Sequence, residues 1–197
     1  MTAGTARAPR GRRFDPGRKD RIVEATVAVI ARHGVAGTTH RLIAAEADVP
    51  LGSLTYHFAS LDDLRAQAFE HHARAMSVVY ARHFDGVSTH EQLVDAVTDL
   101  VDHDAGADTE EWAVAYELYL AALRDPALRR ITEAWMRTSR AVLERYVDPS
   151  TARGVDALIE GYVLHAMLST SPPSRSDIRA AVARALSPAP QTSEDHA

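Results

Sequence analysis

Cysteine is absent from all 197 residues. No disulfide framework, thiolate nucleophile or cysteine-ligated metal is therefore available. The absence suits a reducing compartment, and a cytoplasmic location is expected. Lysine is nearly absent as well: Lys19 stands alone beside 21 arginines, as codon usage in a GC-rich bacterial genome would produce. No apolar run approaches the roughly 18 residues of a membrane span, so no membrane partner is expected. The N-terminal MTAGTARAPRGRRF is basic, but no apolar stretch follows it, and it does not read as a secretory signal. No β-branched run alternates with polar residues, so strand signals are missing. Enzyme signatures are missing too. There is no Glu-x-x-His pair, no HExxH, no Gly-x-Ser-x-Gly elbow and no phosphate-binding glycine loop. An all-α metal-dependent enzyme remains as the alternative. It would rest on Asp95, Asp99 and His103, which share one helix face; a solvated acidic face is the simpler reading, and no metal, cofactor or catalytic residue is expected. His71 and His72 read as a surface pair.

Helix punctuation is what the chain does have. Asp15-Pro16 offers an N-cap and a first-turn proline, and Ile22, Thr26, Val29, Ile30 and His33 follow at helical spacing until Gly34 stops the run. Thr38 or Thr39 caps a short second helix to about Glu46, and Pro50 opens a third that ends near Phe58. Ser60-x-x-Asp63 resembles a capping box for a long fourth helix, to about Phe84. HEQLVDAVTDLVDH and TEEWAVAYELYLAALR read as a fifth and a sixth. Asp125-Pro126 and Asp148-Pro149 start a seventh, to Tyr146, and an eighth, to about Thr170. Ser174 or Ser176 caps a ninth. The fold class is all-α with about nine helices. The division is a disordered basic arm over residues 1–15, a helix-turn-helix head over 16–60, a body over 61–187 with 61–84 as connecting helix, and a disordered tail over 188–197.

Charge follows that division. Residues 1–58 hold nine Arg or Lys and five acids, a net of +4, which leaves −9 for the rest. A basic head on an acidic body fits a head that meets a polyanion. Within the head, THRLIAAEADVPLGSLTYHF gives two short helices joined by a tight turn. Ile43, Ala44, Ala47, Val49, Leu54 and Phe58 form the inner side, with alanines where the helices cross. The outer side of the third helix carries Leu51, Gly52, Ser53, Thr55, Tyr56 and His57. Small residues allow close approach to a major groove, and hydroxyl and ring N–H groups can bond phosphate oxygens. Thr39, His40 and Arg41 at the start of the second helix can hold the backbone opposite. The N-terminal arm, with Arg7, Arg10, Arg12 and Arg13, either follows the DNA or is a solubilising tail.

The run from Gly34 to Leu64, GVAGTTHRLIAAEADVPLGSLTYHFASLDDL, resembles the DNA-binding domain of the TetR (tetracycline repressor) family of bacterial regulators. The matching positions are Gly34, Thr38 or Thr39, Ile43-Ala44, Ala47-Asp48-Val49, Gly52, Tyr56-His57-Phe58 and Leu64. With the first helix and the fourth, the likeness spans about residues 16–84. Two positions depart from it. Asp48 stands where the family turn usually has glycine, and Leu61 stands where the fourth helix often begins with lysine.

The resemblance implies an all-helical homodimer of about nine helices. Its body would bind a small-molecule effector and pair through its last two long helices. Effector binding would change the separation of the heads and release a palindromic double-stranded DNA operator. On that footing Trp112, Tyr116, Tyr119, Trp135, Ser139 and His165 are the candidate effector pocket, although the same stripe also describes a helical core. His103 could instead stabilise the C-terminal end of the fifth helix. Leu158, Ile159, Tyr162, Ala166, Ile178, Val182 and Leu186 are the candidate dimer face.

Overall fold

The computed structural model describes residues 15–106 and 109–187. The basic arm up to residue 14 and the tail from 188 lie outside the described residues. Nine helices and no strands occur among those described: α1 (Arg18–Gly37), α2 (His40–Glu46), α3 (Gly52–His57), α4 (Leu61–Arg82), α5 (His90–Gly106), α6 (Thr109–Ala122), α7 (Pro126–Leu143), α8 (Pro149–Leu168) and α9 (Arg175–Leu186). Buried apolar side chains run without interruption from the head into the body. Ile22, Ile43, Leu54 and Leu64 are sealed in the head end, and Leu100, Leu118, Val155 and Val163 in the body. Each such aliphatic side chain stabilises the fold by roughly 1.5–3 kcal/mol relative to exposure.

The caps explain where the helices start. The Thr39 hydroxyl accepts the Leu42 N–H at 3.3 Å, and Ser60 accepts that of Asp63 at 3.0 Å. The Asp63 carboxylate reaches back to the N–H of Ala59, one residue before the cap, rather than to Ser60 itself. Asp125 and Asp148 cap α7 and α8 ahead of their prolines, and Ser174 with Asp177 completes a capping box on α9. α1 begins two residues later than Asp15-Pro16 predicts. Pro16 and Gly17 form a turn, whose Gly17 N–H donates to the Asp15 carboxylate at 3.2 Å. α7 and α8 also stop slightly short of the predicted ends, at Leu143 and Leu168.

Gly34 breaks α1 as the sequence predicts, with φ 66°, a conformation a side chain would resist. His33 is exposed, so the buried stripe of α1 ends at Ile30. In the head α1 packs on both α2 and α4. In the body α6 lies against α1, α7 against α4 and α6, and α5 against α8 and α9. The α1–α6 contact makes head and body one packed unit. Asp85-Gly86, a dipeptide that elsewhere starts hairpins, here turns the chain between α4 and α5 with φ 79° at Gly86.

Candidate functional site

The helix-turn-helix unit presents one wet face and one dry face. Leu54, Ile43, Ala44, Ala47 and Phe58 are buried. On the other side Tyr56 is 78% exposed and Leu51 50% exposed. Thr39, Arg41, Gly52 and Thr55 are exposed beside them, and His40 and His57 are half-buried. A Cβ built on Gly52 would meet nothing within 4 Å, so that surface is open to close approach. Ser53 is a correction. It is 9% exposed and faces the inner side with Leu54, because on a six-residue helix adjacent positions diverge by about 100°. The Thr55 hydroxyl donates back to the Gly52 carbonyl at 3.2 Å, and the His57 ring sits edge-on to Tyr56 at 4.9 Å.

Asp48 adopts φ 49°, the one left-handed non-glycine among the described residues, so the turn does demand the conformation glycine would supply. Leu61 is half-buried against the core, and its side chain is used there rather than at the surface. Lys19, the single lysine, lies 5.6 Å from the centre of the Phe58 ring and braces the end of α3.

Between head and body the broken end of α1 is held from two sides. The Glu117 carboxylate of α6 accepts the Val35 N–H at 2.9 Å. The Arg65 guanidinium of α4 donates to the Val35 and Thr38 carbonyls, each at 2.9 Å. The backbone requires glycine at Gly34, and a Cβ there would stand 2.9 Å from Glu117 Oε1, so the carboxylate would have to shift from its present position.

Three predicted pocket residues on the same α6 come together with a fourth from α7. Trp112, Tyr116, Tyr119 and Trp135 form a ladder of rings with successive centroid separations of 5.7, 6.1 and 5.7 Å. Trp112, Trp135 and Ser139 border a small, partly open void of about 30 Å³ with Tyr80, Asp104, Asp156 and Glu160. Asp156 and Glu160 also border an open groove of about 720 Å³ between α6, α7 and α8, walled by Tyr116, Tyr119, Leu120 and Met136. His165 is not part of this cluster. It is exposed and lines a separate groove with Tyr162 and Pro173, because its position on α8 faces away from α6 and α7. His72 is a second correction. It is 6% exposed, with its ring 6.2 Å from Trp135, behind the ladder rather than at the surface.

The charged groups in the cavity were not singled out from sequence. The Tyr119 hydroxyl donates to Glu160 Oε1 at 2.8 Å, and Arg140 pairs with Asp156 at 3.1 Å. Glu160 Oε2 and the hydroxyls of Tyr80 and Tyr116 are buried without a hydrogen-bond partner among the described residues. Burial pushes the Glu160 carboxyl up to about 7; Tyr119's hydrogen bond opposes this, while Asp156 and Asp104 add to it. Burial likewise raises Asp156 against the pull of Arg140, and raises the phenols of Tyr80, Tyr116 and Tyr119. One sequence signal was available: Asp156 and Glu160 lie four residues apart within the apolar run of α8, hence on one face.

Four residues predicted for a dimer face are used inside the protomer. Ile159, Ile178, Val182 and Leu186 are at most 4% exposed, because α9 folds back on α5 and α8 of its own chain. Leu158, Tyr162 and Ala166 are half-buried. The acidic face of α5 is engaged as well. Arg175 bonds Asp99 at 2.5 Å and lies 3.7 Å from Asp102, and Arg179 bonds Asp95 at 2.9 Å. His103 meets Asp104 at 3.2 Å. No group of three or more His, Asp or Glu that could hold a metal ion occurs among the described residues, and no helix there is long and apolar enough to cross a membrane.

Two family models match the chain. The one for bacterial regulatory proteins of the tetR family covers residues 22–68, and the one for the tetracyclin repressor-like C-terminal domain covers residues 88–188. The crystal structure of SCO7518 from Streptomyces coelicolor A3(2) is 40% identical, with a TM-score of 0.83 over 88% of this chain and all of that one. The multidrug binding protein EbrR, solved in complex with ethidium, is 39% identical, with a TM-score of 0.73 over 87% of this chain and 99% of EbrR. The HTH-type transcriptional regulator BetI of Burkholderia thailandensis is 26% identical over 167 residues, 79% of this chain and 84% of BetI.

Proposed function

This chain belongs to the TetR family of bacterial transcriptional regulators, and from that premise we propose that it is a cytoplasmic repressor, released from a palindromic operator when a small organic effector enters its body. The observation that carries the reading is the sharing of α6. That helix supplies Trp112, Tyr116 and Tyr119 to the ring ladder and Glu117 to the Val35 N–H at the head. An effector that shifts α6 therefore moves the part of α1 on which the helix-turn-helix is seated. EbrR, by its description a multidrug binding protein with imidazole or ethidium bound, supports a small organic effector here.

In this reading Leu51, Gly52, Thr55, Tyr56 and His57 meet one groove, and Thr39, His40 and Arg41 hold the adjoining backbone. Two copies pair through the side of α8 that carries Leu158, Tyr162 and Ala166. A two-fold dimer sets its heads one or more helical turns apart, roughly 34–36 Å per turn. The test is a gel-shift titration against the DNA flanking this gene over a salt series. Specific binding whose affinity falls steeply with salt is the expected result. Absence of specific binding to every flanking segment defeats the reading as a local repressor.

A further inference from the structure

The void bordered by Tyr80 and Ser139 carries three carboxylates, Asp104, Asp156 and Glu160, and no basic side chain lines it. Arg140 and Arg153 line the adjoining groove, where Arg140 is taken by Asp156 at 3.1 Å. Glu160 is left with one hydrogen bond, from Tyr119 to Oε1, and a buried Oε2 without a partner. A buried carboxylate in this position is costly as an anion until a positive group completes it. Trp112, Tyr116, Tyr119 and Trp135 crowd around it, and the face of an aromatic ring attracts a cation and repels an anion.

The void holds about 30 Å³, room for roughly one water molecule. The adjoining groove, at about 720 Å³, is within the usual size of small-molecule sites. Asp156 and Glu160 stand on the boundary between the two. We infer that the effector is an aromatic organic cation, lying in the α6–α7–α8 groove with its charge against the Glu160 carboxylate. This rests on the reading of the body as the effector site, and it assigns that site a ligand charge and a recognising residue.

The charged and titratable groups around Glu160 are Tyr80 from α4, Asp104 from α5, Tyr116 and Tyr119 from α6, Arg140 from α7, and Asp156 with the groove-lining Arg153 from its own helix. With its carboxyl up at about 7, Glu160 is half protonated near neutrality, and an arriving cation drives the proton off. Cation affinity therefore rises with pH, by about tenfold between pH 6 and 8 if Glu160 alone titrates.

The chain has two tryptophans, Trp112 and Trp135, and both border the void. Intrinsic fluorescence of the full-length protein thus reports on the site. The probes are tetraphenylphosphonium and tetraphenylborate, which share a shape, carry opposite charge and have no hydrogen-bond donor. Tetraphenylphosphonium should bind and tetraphenylborate should not. Glu160→Gln should weaken the cation by about tenfold or more and flatten its pH dependence. Glu160→Asp, which keeps the charge, should fall between. Equal binding of the two probes, no binding of the cation to the natural sequence, or an unchanged cation affinity in Glu160→Gln each overturns the inference. A gel shift on the same samples separates the two readings. DNA released by neutral or anionic compounds but not by the cation leaves the repressor standing and removes the cation assignment. Glu160-dependent cation binding by a protein that binds no DNA does the reverse.

Discussion

On α3 the informative side chains point outward: Tyr56 is 78% exposed above a sealed Leu54. Around α6 they point inward, where Tyr119 and Glu160 bond each other and Tyr80 and Tyr116 have buried hydroxyls without partners. The head thus completes its own core and leaves polar groups for a large external partner. The body leaves part of its core polar and incompletely paired, which costs stability unless something enters. The contrast can be broken most sharply at Leu54. Leu54→Ala removes a fully buried side chain at a cost of about 2–5 kcal/mol. Specific DNA binding should be lost in a gel shift, while the tryptophan emission of the ring ladder stays as in the natural sequence. Loss of both together would show that head and body fold as a single cooperative unit.

Glu160 sharpens the other side of the comparison. Its carboxyl is raised from the usual 4.5 to about 7 in the folded protein. The folded state therefore holds its proton more tightly than the unfolded chain. Stability falls as pH rises through that window and levels off above about 7. Glu160→Gln removes the penalty. Its melting temperature should match that of the natural sequence near pH 4.5 and exceed it at pH 8, where the difference approaches about 3 kcal/mol. Thermal melts across that range measure it. A stabilised variant that no longer responds to an effector would be the trade expected of a binding site.

The link between the regions is tested at Glu117. Glu117→Ala deprives the Val35 N–H of its acceptor, at a cost of about 1–3 kcal/mol. The more telling readout is the coupling: effector should still bind, but release of DNA should need more of it. Glu117→Gln retains an acceptor and should restore most of both. Unchanged release in the alanine variant would move the route to Arg65, which grips the Val35 and Thr38 carbonyls from α4.

The head was legible because its signals are local. The Thr39 and Ser60 caps, the Gly34 stop and the apolar inner side all lie within a few residues of what they specify and appear in the structure, whereas α1 starts two residues after the Asp15-Pro16 signal. Ser53 escaped because a six-residue helix has too few turns for its faces to be separated by periodicity alone. In the body, helices were equally legible and their partners were not. Ile178, Val182 and Leu186 form a stripe that fits a partner subunit as well as it fits α5, and only tertiary packing decides for α5. The ring ladder was legible as a group, since Trp112, Tyr116 and Tyr119 repeat at helical spacing. Glu160 was not, because an acid in an apolar helix reads as a solvent-facing position until α6 and α7 are seen to cover it.

The smallest expected effect concerns Asp48, where backbone and charge can be separated. Its φ of 49° suits glycine, but its carboxylate also lies near Arg21, whose positive form it favours. Asp48→Asn keeps the tolerance for a left-handed turn and removes the charge. Asp48→Gly removes the charge and relieves the backbone, but it also loosens the unfolded chain by about 0.5–1 kcal/mol. Both variants should therefore lie within roughly 0.5–1 kcal/mol of the natural stability. If the carboxylate opposes DNA, both should bind the operator a few-fold more tightly at low salt, and the gain should shrink as salt screens it. If asparagine leaves affinity unchanged and glycine alone raises it, the turn geometry rather than the charge sets how α3 meets the groove. If neither changes it, the departure from glycine at this turn has no cost in binding.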